Sequence, residues 1–333
     1  MGRTWWAWAR LAGGAAILIA LVRTLGTGPF ADGVRTLDGW SVAAAAGIAV
    51  VTTVCCAWRW SLVARGLGVA VPLPAAVAAY YRSQFVNTAL PGGVLGDLHR
   101  GVAHGRSAGD VGRGLRAVGW ERLAGQLVQA GLAVLVLLAL PSPVRAAMPA
   151  VLAGLAAAVL LAVLAGKVRP SGRRSRWARA VGADLRSLVA RRAWPGIVAA
   201  SVVVVAGHAA TFLIAARAAG VTAPPDRLLP LALLALLGMA VPANIGGWGP
   251  REGVTAWLFG AAGLGAAQGL ATAVAYGVLV LVASLPGALV LIAGWASARR
   301  AGTPARRANT PAPGTGTAAR RSAAATRGGA AGG

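Results

Sequence analysis

Long uninterrupted apolar runs constrain this chain more than any other feature. Four of them, at 39–58, 123–140, 146–166 and 196–216, are each long enough for one membrane crossing. A hydrocarbon core of roughly 30 Å needs about 20 apolar residues in a helix. A fifth run, 266–294, exceeds that length and contains Pro286, so tilt or a kink is expected. A shorter run at 11–22 follows Trp5, Trp6 and Trp8, which suit the membrane interface, and Arg10 can snorkel outward to lengthen it. No clear A-x-A site follows Val22, so this run reads as a retained span rather than a cleaved signal peptide. The expected fold is an all-α polytopic membrane bundle of about six full spans.

Two further regions are apolar but interrupted. Residues 74–90 contain Arg82 and run into Pro91-Gly92-Gly93. Residues 228–241 run into Pro242-Ala243-Asn244-Ile245-Gly246-Gly247-Trp248-Gly249-Pro250, and a short apolar stretch at 253–264 follows. Irregular backbone at membrane depth occurs where it is buried in protein or lines a cavity. The two regions also resemble each other. Each has an Asn, a Gly-Gly pair and a further Gly, then an acid and an Arg within a few residues: Asn87 to Arg100, and Asn244 to Glu252. Opposed broken elements in two halves point to a transporter site near the bilayer midplane. We therefore expect re-entrant elements at 74–98 and 228–264, related as an inverted repeat.

Charge supplies the orientation. The chain carries 32 basic residues and 8 acidic ones, a net charge of +24, yet only 12% of its residues are charged. In a soluble protein that excess would suggest nucleic acid. Here too few polar residues remain to solvate a globule, so a nucleic-acid partner is not expected. The stretch 167–192 holds nine bases and one acid, and 299–333 holds seven Arg and no acid. Both should face the cytoplasm. This sets 24 bases on that side, five outside (Arg23, Arg35, Arg145, Arg217, Arg227) and three at membrane depth (Arg82, Arg122, Arg251). The expected organisation is a cytoplasmic N-terminus at 1–10, a transmembrane domain at 11–297 with a basic cytoplasmic loop at 167–195, and a disordered basic tail at 298–333, so both termini are cytoplasmic.

Soluble-enzyme and metal motifs are not apparent, and no cofactor is expected. Cys55 and Cys56 are adjacent and read as packing residues. Gly105-Arg106-Ser107-Ala108-Gly109 matches G-x-S-x-G without the strand–turn–helix context that pattern needs. His99 and His104 lack metal-ligand company, and His208 reads as a bonded packing residue.

Candidate functional residues are the ionisable groups within or beside apolar segments. Asp97, Glu121 and Glu252 each have an arginine close in sequence: Arg100, Arg122 and Arg251. Such groups cost roughly 2.5–3.5 kcal/mol each on insertion scales and usually face the protein interior. They serve either as interhelical ion pairs or as a substrate site. At Pro250-Arg251-Glu252, proline suits a first helical turn, whose positive dipole end would point at the broken loop. Arg251 adds a fork that can grip phosphate. Asn87, Asn244 and Trp248 complete the candidate headgroup set, Trp248 either packing an acyl chain or anchoring its loop. Arg122, Gln126 and Gln129 share one helical face, and Gln268, Thr272, Tyr276 and Ser284 share another. Such stripes line a groove or, more commonly, bond between helices.

The pattern Phe85-x-Asn87-x-x-Leu90-Pro91-Gly92-Gly93-x-x-Gly96-Asp97-x-x-Arg100, then Glu121-Arg122-x-x-Gly125, then Pro242-x-x-x-Gly246-Gly247-x-Gly249-x-Arg251-Glu252, resembles the flippase-like transmembrane domain of lysylphosphatidylglycerol synthase over about residues 40–295. The resemblance implies a role in moving or handling a phospholipid or related membrane lipid. The soluble aminoacyl-transferase domain of the full synthase is absent from this sequence, so lysylphosphatidylglycerol synthesis is not implied. Two alternatives stand beside a flippase: a membrane-embedded transferase acting on a lipid carrier, with Asp97 or Glu121 as base, and a non-catalytic subunit that scaffolds a lipid-modifying enzyme.

Overall fold

The computed structural model describes residues 2–90, 93–142, 145–147, 173–190, 193–239 and 248–301. Among the described residues the regular elements are helical: α1 (Gly2–Leu25), α2 (Gly28–Arg35), α3 (Gly39–Gly66), α4 (Leu73–Ala89), α5 (Leu95–Ser107), α6 (Val111–Ala139), a short 3-10 turn, α7 (Arg173–Ala190), α8 (Trp194–Ala218), α9 (Pro225–Gly238), α10 (Pro250–Ala261), α11 (Ala266–Ser284) and α12 (Pro286–Ala301). The chain divides into two units, Met1–Ala293 and Gly294–Gly333. Apart from the helix that runs on past Ala293, everything below concerns the first unit. The expected span at 146–166, the tail from 302 onward and Asn244 lie outside the described residues.

Helices α3, α6 and α8 and the stretch Ala266–Ser297 are each long and apolar enough to cross a bilayer. The protein is an all-helical, multi-pass membrane bundle. The run expected as a first span is the front of a bent pair. Helix α1 ends at Gly26, whose φ of 76° only glycine adopts readily, and α2 departs at 98° from the segment Ala15–Leu25. At Leu285, beside Pro286, the helical hydrogen-bond pattern is interrupted between α11 and α12, and the two together remain one apolar stretch long enough to cross a bilayer. The basic stretch at 167–195 is more than a loop. It holds α7, tied to the bundle by Ser187 donating to the Gly66 carbonyl (2.5 Å) and by Asp184 accepting from Arg116 (2.7 Å) and Trp120 (3.2 Å).

Local chemistry sets the helix ends. Asp38 and Asp110 cap α3 and α6 by accepting from the Ser41 and Arg113 N–H groups (2.8 and 2.9 Å). Hydrogen bonds from Ser41 hold the Asp38 carboxyl below its ordinary range. Proline stands in the first turn of α4, α8, α9 and α10. The two legs of each interrupted region are short helices, α4 and α5 around residues 90–94, and α9 and α10 around residues 239–249. At 12 residues, α10 is about 18 Å long and cannot cross a bilayer alone. Each pair is followed by a long helix, α6 or α11.

Two apolar clusters hold the bundle. One gathers Trp60 and Val63 of α3, Ala76 and Tyr80 of α4, Val118 of α6 and Ile197 of α8. The other gathers Phe212 of α8, Leu228 and Leu231 of α9, Phe259 of α10 and Leu279 of α11. The first broken region therefore packs into one cluster and the second into the other. Large apolar side chains also point outward, with Leu127 and Leu135 of α6 at 63% and 64% exposure. On a soluble protein such a face would be an aggregation hazard, and in a bilayer it is the lipid contact. Helices α5 and α6 cross through glycine: a Cβ on Gly114 would strike the backbone of Gly101 and Gly105.

Candidate functional site

Around the first break, five charged side chains from three helices form one network. Glu121 of α6 is fully buried and accepts from Arg59 Nε of α3 (2.9 Å) and Arg100 Nη2 of α5 (3.2 Å), with a third bond from the Tyr80 hydroxyl (3.1 Å). Arg59 Nη2 reaches the same carboxylate. Asp97 of α5 accepts from Arg100 (2.8 Å), Ser83 (3.0 Å) and Asn87 (2.8 Å), and forms an ion pair with Arg122. Asn87 also accepts the Gly96 N–H at 2.8 Å, so one side chain closes the break between α4 and α5. The Arg100 guanidinium lies between two rings, 4.4 Å from the Trp60 centroid and 4.2 Å from that of Tyr80.

The second region is built locally. Gly249 precedes α10 with φ 120°, a conformation that penalises any side chain. Its N–H donates to Glu252 Oε2 at 2.7 Å, and the other oxygen of Glu252 accepts from Arg251 Nε at 2.9 Å. The Arg251 guanidinium lies 5.2 Å from the Trp248 ring and 5.3 Å from that of Tyr276. Tyr276 is bonded in turn to His208 Nδ1 (2.9 Å). A glycine makes room for a guanidinium in each half. A Cβ on Gly125 would meet Arg59 Nη1 at 2.7 Å, and one on Gly277 would overlap Arg251.

A cavity of about 390 Å³ joins the two halves. Asn87, Gly93 and Val94 line it from the first break, and Trp248 and Arg251 from the second. Among the described residues, Arg59, Arg122 and Arg251 supply its charged lining, and no carboxylate lines it. The acids stand behind these arginines, each holding a guanidinium from the rear. Thr52, Gln84, Gln126, Gln129 and Thr211 add uncharged polar groups.

Five of the nine sequence candidates therefore stand away from, or outside, that surface. Asn87, Arg122, Trp248 and Arg251 face the cavity, while Asp97, Arg100, Glu121 and Glu252 form the supporting layer, and Asn244 is outside the described residues. The pairing of Glu121 with its neighbour Arg122 does not occur. Successive helical residues diverge by about 100°, so Arg122 turns to Asp97 while Glu121 turns to Arg59 and Arg100. Arg59, which is not among the nine candidates, is buried in the protein at 6% exposure. Arg59 was missed because the third helix does not stop at Trp58; it runs on to Gly66. The face Tyr80, Gln84, Asn87, at i, i+4 and i+7, was a further legible signal. The polar stripe of α11 splits: Tyr276 and Ser284 reach the cavity, whereas Thr272 bonds its own helix and Gln268 bonds the Gly220 carbonyl.

A search of curated proteins finds no match to this chain. The description "Lysylphosphatidylglycerol synthase TM region" matches residues 7–287, a stretch that includes α3 to α11 and both broken regions. By that match across most of its length, the chain belongs to the lysylphosphatidylglycerol synthase transmembrane-region family.

Proposed function

We propose that the protein moves an anionic lipid between bilayer leaflets, with the phosphate-bearing headgroup in the cavity between the two broken regions and the acyl chains in the surrounding bilayer. One observation carries the reading: Arg59, Arg122 and Arg251 line a cavity of about 390 Å³ between two broken helical regions, and among the described residues no carboxylate shares its surface. Guanidinium forks match phosphate oxygens bidentately. Alternating exposure of such a site to the two sides is the common logic of carriers built from opposed broken elements. The cytoplasmic membrane, with both termini on the inner side, fits the weight of arginine in residues 167–192 and 299–333. The transferase alternative is less well supported. Asp97 and Glu121 would have to meet substrate as bases, and both are instead occupied by arginines.

The test is translocation of a fluorescent phosphatidylglycerol in vesicles reconstituted with the full chain. The wild type should speed the loss of the outer-leaflet signal, and Arg251→Gln or Arg122→Gln should slow it about tenfold, the loss of one good contact. No acceleration by folded wild type would sink the proposal. A new lipid product by mass spectrometry would favour the transferase instead.

A further inference from the structure

Helix α7 carries five arginines (Arg173, Arg174, Arg176, Arg179 and Arg186) and one acid, Asp184. None of its residues lines the cavity between the broken regions. Asp184 is 8% exposed and accepts from Arg116 and Trp120 of α6, so the negative charge of α7 is turned into the bundle and balanced there. The charge left over is positive.

A helix turns about 100° per residue, and the described positions of α7 sort into three strips. Asp184, Ser187 and Leu188 form the docked strip: Ser187 bonds the Gly66 carbonyl, and a Cβ on Gly66 would strike Leu188. Leu185 and Val189, at i and i+4, form the next strip and are 45% and 65% exposed. Arg179 and Arg186, at i and i+7, form the third, and both are exposed. Arg186 donates from Nε to the Gly182 carbonyl of its own helix (3.2 Å), which leaves its Nη groups for a ligand. Arg65, one residue before the Gly66 carbonyl, is exposed and adds a further cation at the mooring point. The apolar strip and the basic strip thus lie side by side, and the bundle covers neither.

The mooring also sets the level of α7. Helix α8 opens at Trp194, five residues after Val189, and Trp194 is 59% exposed. Trp120, which bonds Asp184, stands three residues before the apolar run at 123–140. Tryptophan concentrates at the membrane–water boundary, so α7 is held where two crossings begin. An apolar strip beside a basic one, at that level, is the pattern of a helix lying in the interfacial plane. Clustered arginines there attract anionic headgroups.

We propose that α7 is an interfacial lipid-binding helix, with Leu185 and Val189 among the upper acyl carbons and Arg179 and Arg186 gathering anionic phospholipid headgroups. These lipids stay in their own leaflet, and the surface holds them whatever the cavity carries.

The experiment uses the full chain in vesicles of mixed phosphatidylcholine and phosphatidylglycerol. A fluorophore is placed on Val189→Cys or Ala183→Cys in a Cys55→Ala, Cys56→Ala background. Ala183 is exposed and lies beyond the basic strip. Phospholipids spin-labelled near the headgroup end of the acyl chain should quench the probe at 189, and aqueous iodide should quench the probe at 183. At 189, labelled phosphatidylglycerol should quench about fivefold more than labelled phosphatidylcholine, the enrichment expected of one arginine near a charged surface. The preference should vanish in Arg179→Gln with Arg186→Gln. The proposal is overturned if iodide reaches 189 and lipid does not, if the two lipids quench alike, or if the preference survives the double change. Protection of 189 from both quenchers would mean that protein covers the strip, and likewise overturns it. Should the cysteine-free background not fold, immobilisation of the same spin-labelled lipids by the unlabelled chain decides: a preference for phosphatidylglycerol that falls in the double arginine variant upholds the proposal, and an unchanged one overturns it.

Discussion

Around the first break, five charged side chains on three helices share one network, whereas around the second a single Arg–Glu pair occupies adjacent residues of one helix. The parts are otherwise alike. Each region has an arginine beside two aromatic rings, a fully buried glutamate and a glycine that clears space for a guanidinium. The difference lies in how far each bond reaches along the chain. Arg59 and Glu121 are 62 residues apart, so their pair exists only when α3 and α6 are docked. Arg251 and Glu252 meet once the first turn of α10 forms. The first half is thus cross-braced by charge, and the second presents a charge on a self-contained turn.

Breaking the brace should have the largest effect. Glu121→Gln leaves Arg59 and Arg100 short of a shared counterion in a buried setting, and such a loss costs about 3–5 kcal/mol. Thermal unfolding in detergent should show it, and a double change of Arg59→Met with Glu121→Leu should recover part of the loss. Glu252→Gln should cost less, about 1.5–3 kcal/mol, the range for a hydrogen bond to a charged group, because it deprives one arginine of its partner where Glu121→Gln deprives two. Equal melting losses for the two glutamates would erase the contrast. Gly125→Ala and Gly277→Ala come next, at about 1–3 kcal/mol for an overpacked site. Both should slow translocation by displacing a cavity arginine, and a change that lowers stability without touching translocation would count against the cavity role of that arginine. The smallest effect belongs to Tyr276→Phe, which removes the bond to His208 and should cost about 0.6 kcal/mol, the average for such bonds in membrane helices.

These rankings separate what local pattern encodes from what docking adds. The bundle was legible because spanning length and apolar composition are properties of contiguous sequence, as α8 and the run ending at Ser297 illustrate. The second region was equally open to reading: Pro250 opens the helix, and Glu252 closes its own cap three residues on from Gly249. The first region was half legible. Asp97 and Arg100 are one turn apart and pair, but the partner of Glu121 could not be found by proximity along the chain. Arg59 was hidden by a length rule. A helix of 28 residues spans about 42 Å, and its last turns carry charge that a 20-residue window leaves outside the membrane.

One asymmetry within the brace makes ionic strength a handle on this protein. The Arg59 and Glu121 side chains are 7% and 0% exposed, while Arg122, paired with Asp97, is 46% exposed. Mobile ions reach the exposed Arg122 side of its pair with the buried Asp97 (8% exposed) and screen it there, with a Debye length of about 8 Å at physiological salt and about 3 Å at 1 M. A buried pair scarcely responds. Salt should therefore loosen Arg122 from Asp97 before it disturbs the interior brace. The outermost arginine of the cavity is held by the contact most sensitive to the electrolyte around it, and the two layers of the same network answer to different solvents.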